Sequence, residues 1–276
     1  MEKEKPNVPR QDLKDALAQV MGVTPSDKTT STPSPKSNGK NKILNLPSKE
    51  LPIKPLTLRA LNEAANQRVS VITKEFKEGF KFIEKYPKSV TVFGSARLPK
   101  NSPYYKLARG LTTRIAAELN YAVFTGGGPG IMEAANLGAF EGKGQSVGIT
   151  IKLPHEQVTN PYLTDHIGLY YFFSRKVAMT FSAESYIYFP GGFGTLDEFF
   201  EILTLVQTNK IEKVPMILVG TEYWAPLEKF LRDQLLSQSM IDREDLNIFT
   251  ITDDLDEIIG IIKNARVRNG IPTHYK

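Results

Sequence analysis

The sequence contains no cysteine, and this absence excludes several kinds of chemistry. Without thiols, the chain has no disulfide framework, no zinc site built on cysteine and no thiol nucleophile. No apolar run approaches the roughly 20 residues that span a bilayer. The first residues also lack the apolar segment of a signal peptide. We therefore expect a cytoplasmic protein with no membrane partner.

Histidine is scarce as well. His155, His166 and His274 are scattered, so they predict neither a metal cluster nor a nucleophilic triad, and we expect no metal and no cofactor. The formal net charge is +5, and residues 1–50 hold nine Lys or Arg against six Asp or Glu, so about +3 of it lies there. Because the rest of the chain is nearly balanced, we expect no specific nucleic-acid partner.

Residues 1–50 differ in composition from the rest of the chain. Within them, residues 27–42 are rich in Ser, Thr, Pro, Lys and Asn and have almost no apolar side chains, so burial cannot offset the entropy of ordering. We predict a disordered, low-complexity tail over 1–50 and one folded domain over 51–276. A short stretch of the tail has helical spacing, which fits either a docking helix or a transient one. Its apolar residues are Leu13, Ala16, Leu17, Val20 and Met21.

The folded part begins with a predicted long helix over 57–86, and from Lys88 onward short apolar runs alternate with helical patterns. Short strands that are apolar on both faces predict a parallel sheet covered on both sides. We therefore expect an α/β fold, a Rossmann-like doubly wound parallel sheet with helices on both faces. The predicted strands are 90–93, 121–124, 146–151, 168–172, 185–189, 214–219 and 248–250.

Four stretches fall at the carboxyl ends of predicted strands, where such sheets bind ligands. They are Gly94-Ser-Ala-Arg97, Thr125-Gly-Gly-Gly-Pro-Gly130, Ser174-Arg-Lys176 and Pro190-Gly-Gly-Phe-Gly-Thr195. A glycine-rich turn at a helix N-terminus offers backbone N–H groups to an anion, and two such turns predict a phosphorylated ligand. Tight packing of helix on strand is the alternative for either turn alone. Neither turn fits the dinucleotide or P-loop pattern, so we predict neither NAD binding nor hydrolysis of a nucleoside triphosphate.

Glu198 stands near the second glycine turn and has two interpretations. Thr195-Leu-Asp-Glu198 matches the capping box, in which the glutamate bonds back to the N–H of the cap residue. Alternatively, Glu198 acts on a water molecule or on an oxocarbenium-like centre of a sugar. Asp197 is the weaker candidate, because it points to another side of the helix.

Arg175 and Lys176 begin a predicted helix, where a cation is unfavourable and an anionic partner is expected. A salt bridge is the alternative for both, and the fork geometry of arginine favours Arg175 as the phosphate ligand. Glu133 follows the triple glycine, where it fits either a sugar hydroxyl or compensation of the helix dipole. Trp224 and the run over 170–173 are expected in the core or in a dimer contact.

Three of these segments resemble the Lonely Guy (LOG) family of cytokinin riboside 5′-monophosphate phosphoribohydrolases. Pro190–Glu198 fits the family pattern PGGxGTxxE, and 125–136 and 92–97 resemble signatures of its longer bacterial members. The resemblance covers roughly residues 60–265. It implies hydrolysis of the N-glycosidic bond of AMP or an N6-modified AMP to free base and ribose 5-phosphate. It also implies a homodimer or larger homo-oligomer.

By this resemblance, Arg175 and Glu198 match the catalytic arginine and glutamate of the family. The residues expected to bind the phosphate and the rest of the nucleotide are Gly94, Ser95, Gly126, Gly127, Gly128, Glu133, Lys176, Gly191, Gly192, Gly194 and Thr195. Relatives have been labelled lysine decarboxylases, but no pyridoxal phosphate site is recognised here. The competing class is a non-catalytic nucleotide sensor or molybdenum-cofactor carrier of the same superfamily. The sequence leaves open the identity of the base, the oligomer size and the role of the tail.

Overall fold

One parallel sheet of seven strands organises the chain. The computed structural model describes residues 57–151 and 159–267, so the predicted tail and its helical stretch lie outside the described residues. The strand order is β4-β3-β2-β1-β5-β6-β7, and every pair is parallel. The strands are β1 (Ser89–Phe93), β2 (Ala122–Thr125), β3 (Ser146–Ile151), β4 (Asp165–Leu169), β5 (Ser185–Tyr188), β6 (Met216–Leu218) and β7 (Phe249–Ile251).

Helices cover both faces of the sheet, which confirms the predicted doubly wound fold. They are α1 (Leu58–Ile83), α2 (Pro103–Arg114), α3 (Ile131–Glu141), α4 (Phe172–Thr180), α5 (Phe193–Gln207), α6 (Thr221–Phe230) and α7 (Leu255–Asn264). Short π-helical turns continue α2 over Ile115–Leu119 and α6 over Leu231–Leu236, and a 3-10 helix covers Arg243–Asn247. Helices α1, α4, α5 and α6 pack on one face, and α2, α3 and α7 on the other.

The central strands β1, β2, β5 and β6 contribute apolar residues to both of two cores, one on each face of the sheet. In β6, Met216 and Leu218 pack into the core under α5 and α6, whereas Ile217 packs into the core under α2 and α7. Trp224 is fully buried in the first of these cores, as expected from the sequence. The pattern of short, doubly apolar strands therefore follows directly from burial of the sheet on both faces.

Several boundaries differ from the prediction, and in two places a contact made elsewhere in the chain sets them. Strand β4 ends at Leu169 rather than at residue 172, because the N–H groups of Tyr170 and Tyr171 bond to the carboxylate of Glu75 on α1. Helix α3 begins at Ile131, directly after Gly130. Gly130 has a φ of 69°, and a Cβ there would overlap the carbonyl oxygen of Ser95.

Helix α1 packs only through its second half. Its buried residues are Glu75, Gly79 and Phe82, whereas Leu58 and Val69 in its first half are 81% and 59% exposed. Neither α1 nor any other helix in the described part of the chain is long and apolar enough to cross a membrane.

The direction of chain winding reverses between β1 and β5. Strands β1 to β4 are laid down outward on one side, and β5 then returns to pair with β1, with Val92 opposite Ile187. Such a reversal opens a crevice at the carboxyl ends of the two strands, where α/β sheets bind ligands.

Candidate active site

Three loops meet at this crevice and are joined by backbone hydrogen bonds. The Ser95 N–H, after β1, donates to the Pro190 carbonyl oxygen after β5 at 3.0 Å. The Ser95 carbonyl oxygen accepts from the Ile131 N–H at 3.0 Å, at the start of α3. A Cβ on Gly94 would lie 2.6 Å from Cγ2 of Ile131, so glycine permits this close approach. The structure thus brings together the loops that contain Gly94, Ser95 and both glycine turns.

A buried polar network holds the triple-glycine turn. The Asn160 N–H donates to the Gly127 carbonyl oxygen at 2.9 Å, and its side-chain amide donates to the Gly128 carbonyl oxygen at 3.1 Å. The same amide donates to Asn136 Oδ1, which also accepts from the Thr125 hydroxyl. Both carbonyl oxygens are therefore occupied by hydrogen bonds within the protein. The Gly127 N–H is used internally, by Thr125 Oγ1 at 2.9 Å.

Asn136 and Asn160 support the turn, and neither was assigned a role from the sequence. Asn136 lies inside the Gly-Gly-Gly-Pro-Gly-Ile-Met-Glu-Ala-Ala-Asn segment and could have been noticed as a polar residue at an inward helical position. Asn160 had no local signal, since it reaches the turn from the connection between β3 and β4.

The second glycine turn leads directly into α5, with Gly192 at the N-cap. A Cβ on Gly191 would overlap the Thr195 side chain, whereas a Cβ on Gly192 or Gly194 would meet no atom within 4 Å. The space over the start of α5 is therefore open. The Tyr223 hydroxyl donates to the Gly191 carbonyl oxygen at 2.5 Å and fixes the turn from α6.

The capping-box interpretation of Glu198 is wrong in this structure. Helix α5 begins at Phe193, so Thr195 is the third helical residue rather than the cap, and no side chain caps the helix. Glu198 lies on the inner side of α5, where it is 6% exposed, and its Oε2 atom has no hydrogen-bond partner among the described residues. A buried, unpaired carboxylate oxygen is costly and points to a function.

Arg175 faces Glu198 from α4. Its Nη1 lies 3.6 Å from Glu198 Oε1, and its Nε donates to the Ile149 carbonyl oxygen at 2.9 Å. A Cβ on Gly126 would overlap Arg175 Nη2, so the guanidinium group lies directly against the triple-glycine turn. The structure therefore brings Arg175, Glu198 and Gly126 into one site.

Burial sets the ionisation of this pair. Loss of solvation raises the pKa of Glu198 from 4.5 to about 7, although Arg175 and Lys176 favour its charged form and lower the pKa. Burial lowers the pKa of Arg175, and the charge of Glu198 opposes that shift. The pKa of the Glu198 carboxyl group thus lies far closer to neutrality than its ordinary value, which suits a group that exchanges a proton during catalysis.

Lys176 and Glu133 both form ion pairs. The ammonium group of Lys176 lies 2.9 Å from Asp197 and 2.8 Å from Glu201, one on each side of Glu198 along α5. Glu133, in the first turn of α3, lies 2.7 Å from the ammonium group of Lys100. The salt-bridge alternative considered for Lys176 is therefore present in the structure.

Other candidates lie elsewhere. His166 is exposed on β4, and His155 and His274 fall outside the described residues. Within 57–151 and 159–267, no group of three His, Cys, Asp or Glu side chains could hold a metal ion. Tyr170 and Phe172 are 63% and 61% exposed, so neither lies in the core, and a dimer contact stays a prediction for both.

Comparison with known proteins identifies related chains. Residues 132–262 match the family described as "Possible lysine decarboxylase". A cytokinin riboside 5′-monophosphate phosphoribohydrolase of Rhodococcoides fascians is 32% identical over 151 residues, covering 52% of this chain and 74% of the relative. A protein of the same name from Arabidopsis thaliana is 24% identical, covering 70% of this chain and 89% of the relative.

Two further proteins with other names are similar to this chain. A pyrimidine/purine nucleotide 5′-monophosphate nucleosidase of Escherichia coli is 28% identical over 190 residues, covering 65% of this chain and 41% of the relative. Among solved structures, the molybdenum cofactor carrier protein of Chlamydomonas reinhardtii is 22% identical with a TM-score of 0.47, covering 64% of this chain and 96% of that one.

Proposed function

Because the chain belongs to the LOG family, we propose that it is a nucleoside 5′-monophosphate phosphoribohydrolase. The substrate we propose is AMP or an N6-modified AMP, and the products are the free base and ribose 5-phosphate. The observation that carries the proposal is Glu198, a buried carboxylate with an unpaired oxygen atom beside Arg175. Relatives at 24–32% identity are named for reactions on the same bond.

The 5′-phosphate is assigned to the glycine turns. The start of α5 offers the N–H groups of Phe193 and Gly194 and the positive end of the helix dipole. Gly128 adds an N–H group. The carbonyl oxygen of the same peptide unit, that of Gly127, accepts from the Asn160 N–H, so the Gly128 N–H points in the opposite direction. The Thr195 hydroxyl and the guanidinium group of Arg175 supply further donors. The remaining turn residues that we assign to this binding surface are Gly94, Ser95, Gly126, Gly127, Gly191 and Gly192.

The reaction breaks the bond between C1′ of the ribose and a ring nitrogen of the base. The oxygen of a water molecule bonds to C1′ and one of its protons passes to the Glu198 carboxylate. Glu198 then returns a proton, through solvent, to the ring nitrogen of the departing base, so the carboxylate is regenerated. Positive charge develops on the ribose as the bond breaks, and an ionised Glu198 stabilises it in a poorly solvated site. Arg175 holds Glu198 and the phosphate in place.

Glu133 and Lys176 stand at the edge of this arrangement. Glu133 repels a phosphate group, so we assign it to a ribose hydroxyl, with Lys100 as its counter-ion. Lys176 neutralises Asp197 and Glu201, which lowers the negative potential that a nucleotide meets on approach to α5. A substrate phosphate could replace Asp197 or Glu201 as the ion-pair partner of the Lys176 ammonium group.

We include a homo-oligomer, a homodimer or larger, in this proposal. The outer side of α5, opposite Glu198, has an apolar groove of about 610 Å³, and Phe193 at its end is 92% exposed. Such an apolar surface suits a second copy of the chain. Light scattering after size-exclusion chromatography tests this, because a monomeric mass at micromolar concentration contradicts it.

The test of the function is a substrate panel. Purified protein is incubated with AMP, prenylated AMP, GMP, CMP and UMP, and both free base and ribose 5-phosphate are measured. Release in equal amounts from at least one nucleotide supports the proposal, and the matching nucleoside without phosphate should be a poor substrate. Tight binding of a nucleotide without release contradicts the hydrolase and favours the carrier or sensor alternative.

A further inference from the structure

Glu75 is a buried carboxylate outside the residues that carry the proposed chemistry. It lies in the second half of α1 and is 7% exposed. Its Oε1 accepts a hydrogen bond from the Tyr170 N–H at 2.5 Å, and its Oε2 accepts one from the Tyr171 N–H at 3.2 Å. Among the described ion pairs, none involves Glu75. A carboxylate in such a place needs strong compensation.

The compensation comes from the N-terminus of α4. Tyr171 is the N-cap residue of this helix, and its own side chain makes no capping bond. Glu75 therefore caps α4 from another helix, and its negative charge lies at the positive end of the α4 dipole. The carboxylate bonds to the two backbone N–H groups that precede the first helical residue, Phe172. The start of α4 is therefore anchored to α1.

Helix α4 is the element that carries Arg175. The Arg175 N–H donates to the Tyr171 carbonyl oxygen at 3.2 Å, so Arg175 lies one turn from the residue that Glu75 holds. Helices α1 and α4 also contact each other at two more positions. A Cβ on Gly79 would lie 3.3 Å from Cβ of Ala178, and the rings of Phe76 and Phe173 are 6.4 Å apart.

We propose that Glu75 is a positioning residue for Arg175. By fixing the first turn of α4, it sets the separation of the guanidinium group from Glu198 and from the glycine turn. Displacement of a catalytic group by about 1 Å costs up to about a hundredfold in rate, so this anchor is expected to matter for the reaction. Helix α1 lies before the matched residues 132–262, and it would thus contribute to a site that the rest of the chain builds.

The inference rests on the proposed function for its activity readout, so the experiment has readouts that do not need turnover. Glu75→Gln keeps the shape of the side chain but presents an NH2 group to one of the two backbone N–H groups. Glu78→Gln is the matched control, because Glu78 lies on the same helix, is exposed and forms only a 3.8 Å pair with Lys74. Both are measured for AMP affinity by calorimetry, for base release, for Tm and for amide hydrogen exchange over residues 170–176.

We expect faster exchange over 170–176 in Glu75→Gln and a loss of about tenfold or more in kcat/KM or AMP affinity, with neither change in Glu78→Gln. In an Arg175→Lys background, the further loss from Glu75→Gln should shrink, because residues that act through one contact are not additive. If Glu75→Gln does not fold, Glu75→Asp keeps the charge and shortens the reach.

Unchanged exchange over 170–176 would overturn the inference whether or not the protein turns over a nucleotide. So would a fall in Tm with unchanged activity per folded molecule, or an equal loss in the Arg175→Lys background. Absence of base release by the wild type contradicts the proposed function alone, since exchange and AMP affinity still report on the anchor.

Discussion

Arg175 and Glu198 approach each other to 3.6 Å from two different helices, α4 and α5, and both side chains are largely buried. The separation is longer than a direct hydrogen bond, so the pair interacts through charge while Glu198 Oε2 stays unpaired. Each partner therefore keeps hydrogen-bonding capacity for a substrate. This relationship is the basis of the predictions that follow.

Replacement of Glu198 by glutamine should remove catalysis and leave the fold intact. Gln cannot accept a proton or carry the charge that stabilises the ribose cation, and we expect kcat to fall by about a hundred- to ten-thousandfold. Asp197→Asn is the control, because Asp197 is the neighbouring acid on the exposed side of α5, and it should retain most of the activity. Steady-state assay of base release measures both. Full turnover by Glu198→Gln would exclude this residue from the chemistry.

Activity should rise with pH through neutrality. The pKa of Glu198 is raised to about 7, and the ionised form is the active one, so kcat/KM should fall about tenfold per unit below pH 7. The 5′-phosphate of the substrate also titrates, at pH ~6. The change in activity that the phosphate causes should persist in the residual activity of Glu198→Gln, whereas the change near pH 7 should disappear. Activity that decreases as pH rises through 7 would instead indicate that the protonated acid is the active form.

The contribution of Glu198 to the free energy of unfolding should fall as pH rises, whereas activity should increase. Because the pKa of Glu198 is higher in the folded state than its ordinary 4.5, its contribution to stability is fully present below about pH 4.5. It is lost as pH rises through about 7, by about 3 kcal/mol for a shift from 4.5 to about 7. Between pH 5 and pH 8, denaturant unfolding should therefore show the stability difference moving in favour of Glu198→Gln. A constant difference over this range would contradict the raised pKa.

Gly194→Ala should block the phosphate without harming the fold. A methyl group there meets no protein atom within 4 Å and points into the open space over the start of α5. Gly260→Ala is the matched control, since Gly260 is also a helical glycine with nothing within 4 Å. Both should keep or raise Tm, by the better helix propensity of alanine. Only Gly194→Ala should raise KM, by about tenfold for one lost charge-assisted bond. Equal KM values for Gly194→Ala and Gly260→Ala would show that the phosphate does not bind at the start of α5.

Gly126→Ala should displace Arg175. The new Cβ would overlap Nη2 of Arg175 and would lie 2.8 Å from Sδ of Met132, and both atoms belong to the outer part of flexible side chains. The fold should survive, while the guanidinium group moves away from Glu198. We expect a loss of kcat comparable to that of Arg175→Lys, and little further loss when the two changes are combined. Additive losses would show that Gly126 acts by another route.

Much of the fold followed from local patterns. The alternation of short apolar runs with helical spacing predicted the parallel sheet, and strand β3 (Ser146–Ile151) has the predicted bounds. Glycine turns marked the carboxyl ends of β2 and β5, where the crevice lies. These features are local because strand period, helix period and turn chemistry depend on neighbouring residues alone.

Contacts between residues that lie far apart in the chain could not be predicted from the sequence. Asn160 fixes the triple-glycine turn and Tyr223 fixes the second turn, yet each lies more than 30 residues from the glycine it holds. The end of β4 is set by Glu75, 95 positions before Tyr170. No periodicity reports such pairs, because they depend on how the elements pack.

The sequence by itself determined the order of the elements and which residues reach the ligand-binding edge of the sheet, since hydrophobic period and glycine content act locally. Only the tertiary structure decided what Glu198 is. Its spacing from Thr195 fits a capping box, but α5 starts two residues earlier and turns Glu198 inward. There, burial raises its pKa and Arg175 faces it. The environment of an ionisable group depends on the solvent and charges around it in space, and those are fixed only when the chain has folded.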